Sequence, residues 1–226
     1  MGIAFLLTSM EEYIGKVDAG LREYVERTIL PRYHSFDAAH RIDHVATVIA
    51  ESLNLAAGHP EVDINMAYAI AAYHDTGLVV GRDRHHEASG VIVRAEAELR
   101  RWFSPEQIEV MAQAVEDHRA SSGHAPRSIY GRIVAEADRV IDPEITLRRT
   151  VQYGLEHYGE LDKEGQWRRF VEHLTEKYAD GGYLQLWMPE SGNAHRLARL
   201  RQLIADHQML RSEFERLYSQ CHENHS

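Results

Sequence analysis

Residues 68–78 read YAIAAYHDTGL: Tyr68, Ala69, Ile70, Ala71, Ala72, Tyr73, His74, Asp75, Thr76, Gly77, Leu78. The run opens with small and apolar residues at helical density and ends in His74-Asp75, with Thr76-Gly77 directly behind. An imidazole and a carboxylate therefore sit side by side where a buried helix stops. Gly77 lets the backbone turn away at once. Burying an unpartnered polar group costs roughly 2–7 kcal/mol, so both side chains need a partner there. A bound cation suits both.

Working outward, the spacing predicts helices on each side. Tyr13, Ile14, Val17, Leu21, Tyr24, Val25 and Ile29 form one apolar stripe, so a first helix is expected from about 10 to 30, ended by Pro31. Asp37 is a cap for a second helix that stops at Gly58-His59-Pro60 and carries His40 and His44 one turn apart. Asp63 caps the helix that holds the opening run. His85-His86-Glu87 falls near the start of a helix expected to reach about Trp102. Ser104-Pro105-Glu106 is a cap followed by proline at the first helical position, opening a helix to about His118. Ser128 and Asp142-Pro143 open two more helices, with Asp138 near the end of the former. A helix is expected over 163–179 and a last one over about 194–218. The stretch between them, YLQLWMPESGN (183–193), has three readings: core packing, closure over a pocket, or a subunit contact that would make a homo-oligomer. No strand pattern, repeat or low-complexity block is present. The expected fold class is all-α, as a single domain over 1–226: a core of about 37–142 and a helical extension of about 143–226.

The net charge of -10 argues against a nucleic-acid surface, which needs a basic patch. A small anionic substrate stays compatible, because a metal and a few arginines can reverse the local field. The one cysteine, Cys221, allows no intramolecular disulfide, which fits a reducing cytoplasm. The apolar start, MGIAFLLTSM, lacks a basic leader and a cleavage pattern, so no signal peptide is expected. No apolar stretch approaches the roughly 20 residues of a membrane span.

His44, His74, Asp75 and Asp138 fall on three separate expected helices beside apolar positions. Two imidazoles and two carboxylates suit divalent Mn, Fe, Co, Ni or Zn better than Mg, and leave positions for water and substrate. Each residue alone is more easily read as a paired core polar group; the conjunction favours a metal site.

The ordered set resembles the HD-domain superfamily of metal-dependent phosphohydrolases. The flanks that carry the resemblance are AHRIDHV, AAYHDTGL, HHEAS, VEDHR and EADRVID, over roughly 37–142. The resemblance implies a helical bundle whose metal ligands are His44, His74, Asp75 and Asp138. It also implies hydrolysis of a phosphate mono- or diester by activated water, with a nucleotide the commonest substrate type. Asp75, His118 and Arg119 are the candidate catalytic residues. His86, His118 and His40 are candidates for substrate or for a second metal. Arg41, Arg84 and Arg139 also flank the motifs, and Asp117 is expected either to orient a histidine or to face solvent. Two rivals remain: a di-iron oxygenase on the same fold, for which an extra histidine pair is needed, and a non-catalytic binding domain. No Gly-rich phosphate loop, nucleophile elbow or paired Cys/His zinc pattern is present.

Overall fold

A computed structural model describes residues 13–36, 42–122, 124–139 and 141–223. Among the described residues every regular element is helical. The chain divides into two compact units, 1–138 and 139–226, just before the expected border at 142. The first unit holds α1 (Ala19–Tyr24), α2 (Ile42–Ala57), α3 (Ile64–Tyr73), α4 (His85–Ala95), α5 (Pro105–Glu116) and α6 (Ile129–Ala137). The second holds α7 (Pro143–His157), α8 (Lys163–Tyr178), α9 (Asn193–Ala205) and α10 (His207–Glu223).

The first unit is built around α3. Asp63 caps it by accepting from the Asn65 amide at 2.8 Å. From Met66 to Tyr73 every side chain is buried, the signature of a helix apolar all round and covered on every side. Helices α2, α5 and α6 pack on it, and α4 packs on α5. Ser104 gives α5 the full reciprocal cap with Gln107, and Ser128 caps α6. These starts fall where the sequence places them.

Other boundaries differ, each for a local reason. The first expected helix is interrupted: α1 begins only at Ala19. Asp18 leaves helical backbone there to cap it, accepting from the Leu21 amide and from Trp102 Nε1, both at 2.9 Å. Pro31 does not end the segment. It sits in the first turn of a 3-10 stretch, Leu30–Ser35, where its missing N–H costs nothing. The helix expected to reach Trp102 ends at Ala95, because Glu96 turns extended before a separate 3-10 turn, Ala97–Arg101. In the second unit the expected last helix is two. Asp206 ends α9 and caps α10 through the Met209 amide at 2.9 Å. Residues 183–192 form no regular element; Leu184 and Met188 are buried there, while Tyr183 is exposed. The expected cap Asp37 lies outside the described residues, as do residues 1–12.

The turn after α3 is tightly packed. The Gly77 amide donates to Ser89 Oγ at 2.9 Å, and a Cβ on Gly77 would lie 2.0 Å from the His85 carbonyl oxygen and 2.5 Å from the Ser89 nitrogen. Those are backbone atoms, so they cannot swing aside. Gly77→Ala should therefore lower the stability of the first unit by roughly 1–3 kcal/mol, the range for overpacking, read as a lower urea midpoint at unchanged slope.

Candidate metal centre

The last turn of α3 ends inside the protein, so its orphan carbonyls need protein partners. Three side chains supply them. His74 Nδ1 donates to the Ala71 carbonyl at 2.7 Å, the Tyr33 hydroxyl to Ala72 at 2.9 Å, and Thr76 Oγ1 to Tyr73 at 2.8 Å. The Tyr33 oxygen also accepts from the Asp75 amide at 3.3 Å, which ties the carboxylate-bearing residue back to the helix end. Both His74 and Asp75 are buried.

Only a donor can face a carbonyl, so His74 carries a proton on Nδ1 and turns Nε2 toward the carboxylates, where it offers a lone pair once its own proton is lost. The same device recurs twice. His85 Nδ1 donates to the Arg82 carbonyl at 2.7 Å, and His118 Nδ1 to Val115 at 2.5 Å. All three imidazoles thus aim Nε2 at the carboxylate of Asp75.

That carboxylate stands between two donor groups. Its Oδ2 lies 3.2 Å from His74 Nε2 and 3.7 Å from His44 Nε2, and these two nitrogens are 3.4 Å apart. Asp138 Oδ1 joins this side at 3.2 Å from His44 Nε2 and 3.9 Å from His74 Nε2. On the other side Oδ1 lies 3.3 Å from His85 Nε2 and 3.4 Å from His118 Nε2, with those nitrogens 3.1 Å apart. Donors about 2.1 Å from one cation lie roughly 3.0–3.5 Å from each other; the group of Asp75, His85 and His118 lies within that range, while the His44–Asp75 and His74–Asp138 separations, at 3.7 and 3.9 Å, are wider. His85 and His118 would otherwise set lone pair against lone pair. The donor chemistry fits a divalent transition metal on each side, with Asp75 shared.

The charges agree. Burial pushes the His74 imidazole down, but the carboxylates of Asp75 and Asp138 outweigh it and raise its pKa to about 9. Burial and the His118 ring push His85 down to about 4. Burial acts to raise Asp75, but His74 and His118 hold it well below the usual carboxylate range. Asp138 is also held low, its burial outweighed by the hydrogen bond to His44. Both carboxylates are therefore anionic at neutral pH.

The structure brings together His44, His74, Asp75, Asp138 and His118 from the sequence set. His85, and not His86, stands opposite His118; the two are adjacent at the first turn of α4, and spacing alone does not choose between them. His86 lies beside this pair, its ring centroid 5.6 Å from that of His85. Arg119 donates to the Asp83 carbonyl and fastens the loop before α4. Arg84 is exposed and paired with Glu87. Arg139 is buried in the second unit. Asp117 neither orients a ligand nor faces solvent. It is buried and accepts from the Arg127 amide at 2.7 Å and its Nε at 3.0 Å, which pins the loop after His118. His40 and Arg41 lie outside the described residues. Tyr33 and Ser89 escaped the sequence reading because a lone tyrosine or serine in an apolar stretch carries no metal signature.

The all-helical unit turns imidazoles and aspartates from several helices into two groups that could hold a metal ion. Residues 41–141 match the family model of the HD domain, which supports membership of the HD-domain superfamily for that part of the chain. No curated protein and no solved structure matches the chain. Among the described residues no helix is long and apolar enough to cross a membrane.

Two outcomes are expected. Tyr33→Phe removes the hydroxyl that ties Asp75 to the helix end, and should weaken Mn²⁺ or Ni²⁺ binding about tenfold, the lower bound for losing a group that orients a ligand; calorimetric titration measures it. Metal entry must also displace the proton of His74. Below a pKa of about 9 that ring is charged in the metal-free protein, so affinity should rise as pH increases from 6 to 9. Titration at pH 7.5 in two buffers of different ionisation enthalpy should show about one proton released by this ring.

Proposed function

We propose that the protein is a metal-dependent phosphohydrolase that cleaves a phosphate mono- or diester of a small metabolite. The observation that carries this reading is the Asp75 carboxylate, with one oxygen toward His44 and His74 and the other toward His85 and His118. Ions held there would lower the pKa of water to about 7 and offset the charge that grows on the phosphoryl oxygens. His44, His74, Asp75 and Asp138 would hold one ion; Asp75, His85 and His118 would hold a second.

The rest of the work falls to the chain. The three Nδ1–H bonds to backbone carbonyls hold the rings in the right tautomer without later rearrangement. Access is from the edge where Asp138 and His85 lie, with side chains 23% and 16% exposed, while His74, Asp75 and His118 are closed to solvent. His86, against the His85 ring, and Arg119, bonded to the Asp83 carbonyl before α4, would position the phosphate. In the reaction a water oxygen bonds to phosphorus, the bond from phosphorus to the ester oxygen breaks, and the alcohol leaves with a proton.

A carboxylate shared by two metal sites also suits the oxygenase reading, since the extra histidine pair is present as His85 and His118. Bound iron with visible absorbance and oxygen uptake would favour it. The hydrolytic reading expects a protein that releases phosphate from phosphorylated metabolites with Mn²⁺, Co²⁺ or Ni²⁺. His74→Ala and Asp75→Ala should each lower that rate by about 100-fold or more, because each removes a ligand and its charge. Rates equal to wild type in either variant would rule the site out.

A further inference from the structure

The second unit carries a group of basic side chains that the metal centre does not use. Arg169, His173 and Lys177 follow one another at four-residue intervals on α8, so they share one face over about 12 Å. Arg169 lies across Gly154 of α7, where a Cβ would come within 2.5 Å of its Nη2. Its guanidinium stands 6.0 Å from the ring centre of Tyr153 and 5.6 Å from that of Tyr158. Those two tyrosines are 43% and 40% exposed. At the other end of the face, Lys177 Nζ stands 5.0 Å from the ring centre of Tyr178, and the His173 ring lies 6.4 Å from it.

This face lacks a counter-charge. The chain has a net charge of -10, and its other partly covered arginines meet carboxylates: Arg94 meets Glu109 and Glu116, and Arg127 meets Glu116 and Asp117. Arg169 is half-buried and makes no ion pair among the described residues. Its one hydrogen bond runs from Nη2 to the Thr150 carbonyl. Burial pushes its pKa down, and the groups acting against that are the Tyr158 and Tyr153 hydroxyls, not a carboxylate. Burial and the charges of Lys177 and Arg169 push His173 down to about 4, again with no carboxylate opposing them. Acidic groups nearby in the chain are engaged elsewhere: Glu156 of α7 turns to His157 at 3.9 Å, and Asp180 to Arg201 at 3.3 Å. Like charges therefore face one another with nothing between them, an arrangement that an anion would relieve.

Donors stand ready to meet one. Arg169 Nε is closed to solvent, but Nη1 is open and makes no bond. Both ring nitrogens of His173 are likewise open and unbonded among the described residues. A neutral imidazole can donate through one of them, beside the fixed charges of Arg169 and Lys177. The net charge of the chain repels a long polyanion, so the fit is to a small one.

We infer that this face of α8 is a second ligand site, which takes the oxyanion group of a small molecule, a phosphate or a carboxylate. Arg169 and Lys177 supply its charge, and His173 an N–H. It needs no metal and is independent of the hydrolytic reading.

The test uses the full-length protein with isotope-labelled histidine, exchanged into Zn²⁺ so that any bound metal is diamagnetic. His173→Gln identifies the His173 ring signals by their loss. Sodium phosphate and sodium succinate are titrated separately at neutral pH, with sodium chloride at matched ionic strength as the control. At least one of the two oxyanions should shift the His173 signals saturably, and chloride should not. Arg169→Gln and Lys177→Gln should each weaken that binding about tenfold, since each removes a charged donor. Should Arg169→Gln fail to fold, having also lost its bond to Thr150, Lys177→Gln carries the test. Tighter binding of phosphate assigns a phosphate-bearing ligand, and tighter binding of succinate a carboxylate; either supports the site. Shifts that chloride reproduces, saturation by neither oxyanion, or affinity unchanged in a folded variant overturns it. Because His173 itself is observed, anion binding at the metal centre does not enter the result.

Discussion

The structure depends on how one buried helix end satisfies its backbone. α3 is covered on all sides, so the carbonyls of Ala71, Ala72 and Tyr73 cannot turn to water. They are met by His74, Tyr33 and Thr76, one side chain each. An unmet buried carbonyl would cost about 1–3 kcal/mol, so these bonds are a condition of the fold. One of the three donors is itself a candidate metal ligand. The bond that completes the helix therefore also sets the tautomer and aim of His74. Fold and chemistry share the same atoms.

The same economy holds across the site. His85 and His118 are fixed to carbonyls three residues before them, at a helix start and just past a helix end. The loop after His118 is drawn back by Arg127 onto Asp117 and Glu116, and Arg94 ties Glu116 to α4. These partly buried, multiply bonded pairs hold geometry more than they add stability. The result is a rigid frame in which Asp75 faces two histidine pairs. All of it is built within the first unit. The second unit has its own apolar core, with Phe170 and Phe214 packed ring on ring at 5.2 Å.

Much of this was legible in the chain. A helix apolar on every face that ends in His74-Asp75 announces burial and a need for partners, and the caps at Asp63, Ser104, Ser128 and Asp142 lie where side-chain chemistry puts them. The set His44, His74, Asp75 and Asp138 was read from a family resemblance, because sequence order alone does not say which side chains meet in space. Three things were not legible. Breaks at Asp18, Glu96 and Asp206 interrupt smooth apolar stripes, because an acidic residue that could continue a helix is instead used as a cap or leaves helical backbone. The choice of His85 over His86 is a rotation of one residue about α4, set by tertiary packing such as that of Gly77 against Ser89 and not by spacing. Tyr33 reaches the Ala72 carbonyl from 39 residues away, and nothing local to it marks that role.

The central claim is that Asp75 is shared by two cations, one on each face of its carboxylate. Anomalous diffraction from crystals grown with Mn²⁺, recorded near the manganese edge, tests it most directly. Two peaks should flank the Asp75 carboxylate, one among His44, His74 and Asp138 and the other between His85 and His118. A protein that binds manganese with no peak against Asp75 would contradict it.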